Sequence, residues 1–149
     1  MKAVNNTDIS SRIEQWVDEL ICDNPLLMVK LKTDTKEADE SQARLGLIET
    51  VRFLWLCSQS NAVLTPSIRV DKVWHELILF TRSYQAFCET HLGHFVHHQP
   101  SDQPSNELKQ YSMTLVEYKR YFGHPSAAFW PQVKTVSTKE ASSCGTCEN

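Results

Sequence analysis

Val70-Asp71-Lys72-Val73-Trp74-His75-Glu76 sits inside a longer run, 66–92, whose apolar residues return with the period of a helix. At about 100° per residue, Val70, Val73, Leu77, Phe80, Tyr84, Phe87, Cys88 and His91 fall on one stripe. That stripe is roughly 100° wide, the width a core-facing helix presents. Pro66 behind Thr65 suits a first helical residue, because its missing N–H would be unpaired there anyway, and Gly93 suits a left-handed C-terminal cap. The run therefore reads as one helix over 66–92. Asp71, His75 and Arg82 cluster on nearly the opposite side, flanked by Trp74, Ile78 and Leu79. This second face is neither plainly polar nor plainly apolar, so another segment is expected to cover it. A chain that turns at Gly93 can lay His94, His97 or His98 over it.

Outward from this helix the pattern stays helical. Ile9, Ile13, Trp16, Val17, Leu20 and Ile21 recur at helical spacing behind Thr7 and Asp8, and Asn24-Pro25 stops them. Residues 26–31 fit either one more turn or a short extended piece, and 33–40 is polar enough for a loop. From Ser41 a second helix carries Leu45, Ile48, Val51, Leu54 and Trp55 to about Ser58. Residues 99–106, with Pro100 and Pro104, read as a loop. A last helix carries Leu108, Tyr111, Leu115, Tyr118 and Phe122, and Gly123 closes it; Thr114 and Glu117 have the spacing of a capping box, which allows a restart there. No β alternation persists and no internal repeat is present. The expected fold is all-α: a single compact domain over 1–131, of about four to six helices with 66–92 as the long central one, followed by a disordered tail over 132–149.

Composition excludes several classes. With 149 residues and 41% hydrophobic content, the chain can bury one real core. Fifteen Lys and Arg against eighteen Asp and Glu leave a net charge of −3. No block of five like charges occurs, so a nucleic-acid footprint is not expected. Met1 to Ser11 has no apolar leader core, and no apolar run approaches a membrane span, which points to a cytoplasmic protein without membrane contact. Five cysteines is an odd count without a secretory signal, so reduced thiols are expected.

The chemistry follows from helix geometry. Asp71 and His75, at i and i+4, lie one above the other, and a returning histidine adds a third donor. Imidazole and carboxylate together suit zinc, iron or another first-row divalent ion. The candidate ligands are Asp71, His75, His94, His97 and His98, with Trp74 and Arg82 as neighbouring binding surface. The alternative is structural: Asp71 accepts a hydrogen bond from His75 and orients the ring beside Trp74. No established zinc spacing and no His-Glu-x-x-His is present. Cys88 and His91 lie on the core stripe and read as core residues. Cys144-Gly145-Thr146-Cys147 stands alone in a polar tail with no second pair, so its thiols read as incidental. No phosphate loop, nucleophile elbow or dinucleotide fingerprint occurs.

Val70-Asp71, Val73-Trp74-His75, Thr81-Arg82-Ser83-Tyr84, Phe87-Cys88, Gly93 and His97-His98 ending at Pro100 resemble the glycine-rich domain-containing protein-like family of bacteria and plants. Val51-Arg52-Phe53-Leu54, Leu64-Thr65-Pro66-Ser67, Tyr121-Phe122-Gly123 and Phe129-Trp130 extend the resemblance over roughly 25–131. It implies a mostly helical domain and names no reaction. The glycine-rich tail of that family is missing here, since the chain has four glycines. Two functional classes follow. One is a binding or interaction module, metal-stabilised through the Asp/His cluster, whose 71/75/82 face and histidine loop meet a protein or small-molecule ligand. The other is a small divalent-metal enzyme using Asp71, His75 and loop histidines. The first is favoured, because no general base or nucleophile stands beside the ligands.

Overall fold

In the computed structural model, residues 6–100, 103–133 and 146–148 are described, and the architecture is all-α. The elements are α1 (Asn6–Asp23), α2 (Pro25–Asp34), α3 (Glu40–Gln59), α4 (Ile68–Leu79), α5 (Thr81–Phe87), a π turn (Cys88–Leu92), β1 (His97–Gln99), α6 (Pro104–Phe122) and β2 (Thr146–Glu148). The strands pair antiparallel, with His98 opposite Cys147.

Local chemistry sets the helix starts. Pro25 opens α2 at a position where a missing N–H costs nothing. The Asp39 carboxylate accepts from the Gln42 N–H at 2.9 Å and caps α3; the Ser67 hydroxyl accepts from the Val70 N–H at 3.1 Å and caps α4. Residues 25–34 thus form a full helix and leave only a short loop before Asp39. At α6, Thr114 caps nothing. Its hydroxyl accepts from the Thr65 N–H (3.1 Å) and lies 2.8 Å from the Thr65 carbonyl, so it ties the loop before α4 to a helix that runs unbroken from Pro104 to Phe122.

The centre of the molecule is α3, not the 66–92 segment. Twelve of its twenty residues are buried, and it packs against α1, α2, α4 and α6. Glu49 is among the twelve. Its Oε2 accepts from the Tyr118 hydroxyl (2.7 Å) and the Trp130 indole N–H (2.7 Å), while Oε1 pairs with Arg52 at 2.9 Å. A buried carboxylate is tolerated only when saturated in this way. It anchors the segment after α6 to the central helix, burying Phe129 and Trp130.

The expected single helix over 66–92 is broken. Phe80, at φ −83 and ψ 62, leaves the helical region and serves as C-cap of α4 and N-cap of α5, and the last turn widens to π geometry before Gly93 turns left-handed at φ 85. The reason lies in a side-chain bond. Ten residues of continuous helix would span about 15 Å, yet the Trp74 indole N–H reaches the Tyr84 hydroxyl at 3.1 Å because the chain bends between them. Past the break Tyr84, Phe87 and Cys88 remain buried, whereas His91 sits at a rim, stacked on Trp16 at 4.6 Å.

Among the described residues, no helix is long and apolar enough to cross a membrane. Of the tail expected to be disordered, Gln132, Val133 and Thr146–Glu148 are described, and the rest falls outside the described residues. The expectation of reduced thiols fails at Cys57, which is disulfide-bonded and fully buried on α3, while Cys22 and Cys88 are free. An odd cysteine count forbids complete pairing but not a single bond.

Candidate metal centre

Asp71 and His75 stand one turn apart on α4, as their spacing requires. The His75 Nδ1 lies 2.8 Å from the Asp71 main-chain carbonyl and 3.3 Å from its carboxylate Oδ2. A carbonyl only accepts, so the proton belongs on Nδ1, and Nε2 keeps a free lone pair. The nearest side-chain partner of the Asp71 carboxylate is therefore not His75. It is His98, delivered by β1, whose Nε2 lies 2.9 Å from Asp71 Oδ1.

That contact has an unusual character. Both atoms are buried, yet the ring N–H geometry is not that of a hydrogen bond, so among the described residues neither Asp71 Oδ1 nor His98 Nε2 has a hydrogen-bond partner. Two buried polar atoms that face each other without sharing a proton are each left with their desolvation cost. An ion accepting both lone pairs removes it. One donor atom from each of Asp71, His75 and His98 lies within 4.8 Å of the others, a group able to hold one metal ion.

The ring of His98 is held from below. It stacks on Trp74, with centroids 4.1 Å apart and planes at 24°, and tilts against His75 at 4.3 Å. Trp74, fully buried, donates through Nε1 to the Tyr84 hydroxyl, which donates in turn to the Val96 carbonyl at 2.6 Å. Tyr84 thus pins the chain two residues ahead of His98, and the Trp74 ring sets the plane of the imidazole. Burial raises the Tyr84 phenol well above its ordinary value, and it raises the neighbouring Cys88 thiol, so both remain protonated donors.

Not every expected residue joins the group. His97 follows the alternation of β1 to the other side, exposed and edge-on to Phe95 at 4.7 Å, and His94 also lies outside the cluster. Arg82 is carried away by the break at Phe80. It lines a cleft of about 370 Å³ with Trp16, Glu19, Asp23 and His91, on the α1 side. Trp74 is a buried platform rather than an exposed surface. Tyr84, which the sequence placed on the core stripe, and Val96, which it did not single out, are the further contributors; the only signal was the tyrosine hydroxyl on an otherwise apolar stripe, which demands a buried partner.

Fold and cluster together define an all-α domain that carries an Asp-His-His group between a helix and a short strand. The chain belongs to the UCP032817-like family, whose model matches residues 13–127. No curated protein and no solved structure matches it.

Proposed function

We propose that this protein is a divalent-metal-binding helical module in which Asp71, His75 and His98 hold one first-row ion, zinc or iron, and so fasten β1 to α4. The observation that carries the reading is the pair of buried atoms, Asp71 Oδ1 and His98 Nε2, 2.9 Å apart and without a hydrogen bond between them. A protonated His98 would direct an N–H at the carboxylate; a metal ligand directs a lone pair beside it. Among the residues that carry the likeness to glycine-rich domain-containing proteins, Asp71, His75 and His98 build the cluster and Trp74 lies beneath it, and kinship with that family belongs to the same proposal. The enzymatic alternative has less support. The clefts of about 370 and 380 Å³ have none of Asp71, His75 and His98 in their linings.

The test is elemental analysis of protein purified without an affinity tag, followed by removal of metal and titration with zinc and cobalt. One equivalent bound, with a higher melting temperature, is expected for the parent protein. Asp71→Asn and His98→Ala should lose that binding while keeping helical circular dichroism. Parent protein that takes up no ion, and melts identically with and without chelator, defeats the proposal and leaves a structural polar cluster.

A further inference from the structure

We infer that the ion held by Asp71, His75 and His98 keeps open coordination positions on the His75 side and takes a small anion there. This inference rests on the metal reading above and goes beyond it, because a structural staple and an open site differ in what else they bind.

Donor count comes first. Closed structural zinc sites use four protein ligands, and sites that bind an exogenous ligand use about three. Among the described residues the group has three members, Asp71, His75 and His98. The neighbouring side chains turn elsewhere: the Glu76 carboxylate lies toward Lys30 of α2 at 3.9 Å, and His97 faces away from His98 along β1.

Burial then says where the remaining positions point. The side chains of Asp71 and His98 are 4% and 6% exposed, whereas that of His75 is 49% exposed. The Trp74 ring closes the side beneath His98. Two donors rise from the interior and the third stands at the surface, so the uncommitted positions face solvent beside His75 rather than the core.

Charge selects the occupant. A divalent ion with one carboxylate and two neutral imidazoles keeps one net positive charge, which a monovalent anion neutralises. With two donors buried and His75 alone reaching the surface, the occupant that fits binds through the ion itself: hydroxide, a halide-like anion, or the carboxylate end of a larger ligand lying on the surface.

The experiment uses the full chain loaded with cobalt(II), whose visible absorption reports coordination, and sodium azide as the probe. A saturable change of the cobalt band with one azide per cobalt is expected. His98→Ala should show neither the parent cobalt band nor the azide response. If cobalt binds with a strong visible spectrum but azide leaves it unchanged, the coordination sphere is closed and the inference is overturned while the metal reading stands. If cobalt does not bind the parent protein, both fall together.

Discussion

The hydroxyl of Tyr84 connects two things that are far apart in sequence, the indole that supports His98 and the carbonyl that fixes the strand carrying it. Tyr84→Phe removes that oxygen and nothing else. It leaves a buried N–H and a buried carbonyl unpaired, which should cost about 1 to 3 kcal/mol in denaturant unfolding. Because the same oxygen aims His98, cobalt affinity should fall about 10- to 100-fold, the effect typical of a group that orients a metal ligand. A loss of stability with unchanged affinity would show that Tyr84 supports only the core. At this scale the sequence was partly legible. Asp71 and His75 could be paired on paper because i and i+4 positions stack on any helix. Three loop histidines could be offered as the third donor, but choosing His98 needed the alternation of β1 and the anchor at Val96, neither of which leaves a periodic trace.

Helices α3 and α4 approach closely at Gly46, where an added Cβ would meet Val73 Cγ2 at 3.2 Å and Phe129 Cε1 at 3.7 Å. Any side chain larger than a methyl must push α4 away from the central helix, and α4 carries two of the three donors. Gly46→Val should therefore destabilise the fold by about 1 to 3 kcal/mol through overpacking, read as a lower denaturant midpoint. Gly46→Ala should do far less, because a helix-propensity gain of about 1 kcal/mol offsets a contact that yields by a few tenths of an ångström. Elements that repeat at 3.6 residues were readable: α1, α3 and α6 lie close to where their apolar spacing puts them. The break at Phe80 was not, since nothing interrupts the apolar stripe there; the bend is selected by a bond between Trp74 and Tyr84 that only tertiary structure makes. Arg82 lies beyond the same break and lines the cleft against α1 rather than the Asp71 face.

At the scale of the molecule, the phenols of Tyr84 and Tyr118 and the thiol of Cys88 hold their protons more tightly in the fold than in the open chain. Burial is the first cause of the raised values at Tyr84, Tyr118 and Cys88, and the Glu49 carboxylate beside Tyr118 adds to it. The folded protein then binds more protons than the unfolded chain once pH exceeds the unfolded values, about 8.5 for a thiol and about 10 for a phenol. Stability is complete below that range and declines as pH rises through it, by about 1.4 kcal/mol per pH unit for each group still protonated in the fold. Denaturation series between pH 8 and 11 should show this fall, and Tyr118→Phe should flatten the part above pH 10. A stability that is level or rising over that range would contradict the burial of these protons.

The bond between Glu49 and Trp130 reaches past the stretch that the family model matches. The family match ends at residue 127, three residues short of the indole that satisfies Glu49, and it begins at Ile13, beyond the buried Ile9. Truncating a buried tryptophan costs about 3 to 5 kcal/mol, a large share of the roughly 5 to 15 kcal/mol that holds a domain folded. A fragment cut to 13–127 should keep helical circular dichroism yet melt early or without cooperativity, whereas one spanning 6–133 should melt as a unit. A chain trimmed to the matched stretch would discard its own clasp, the indole that holds the end of the chain to the central helix.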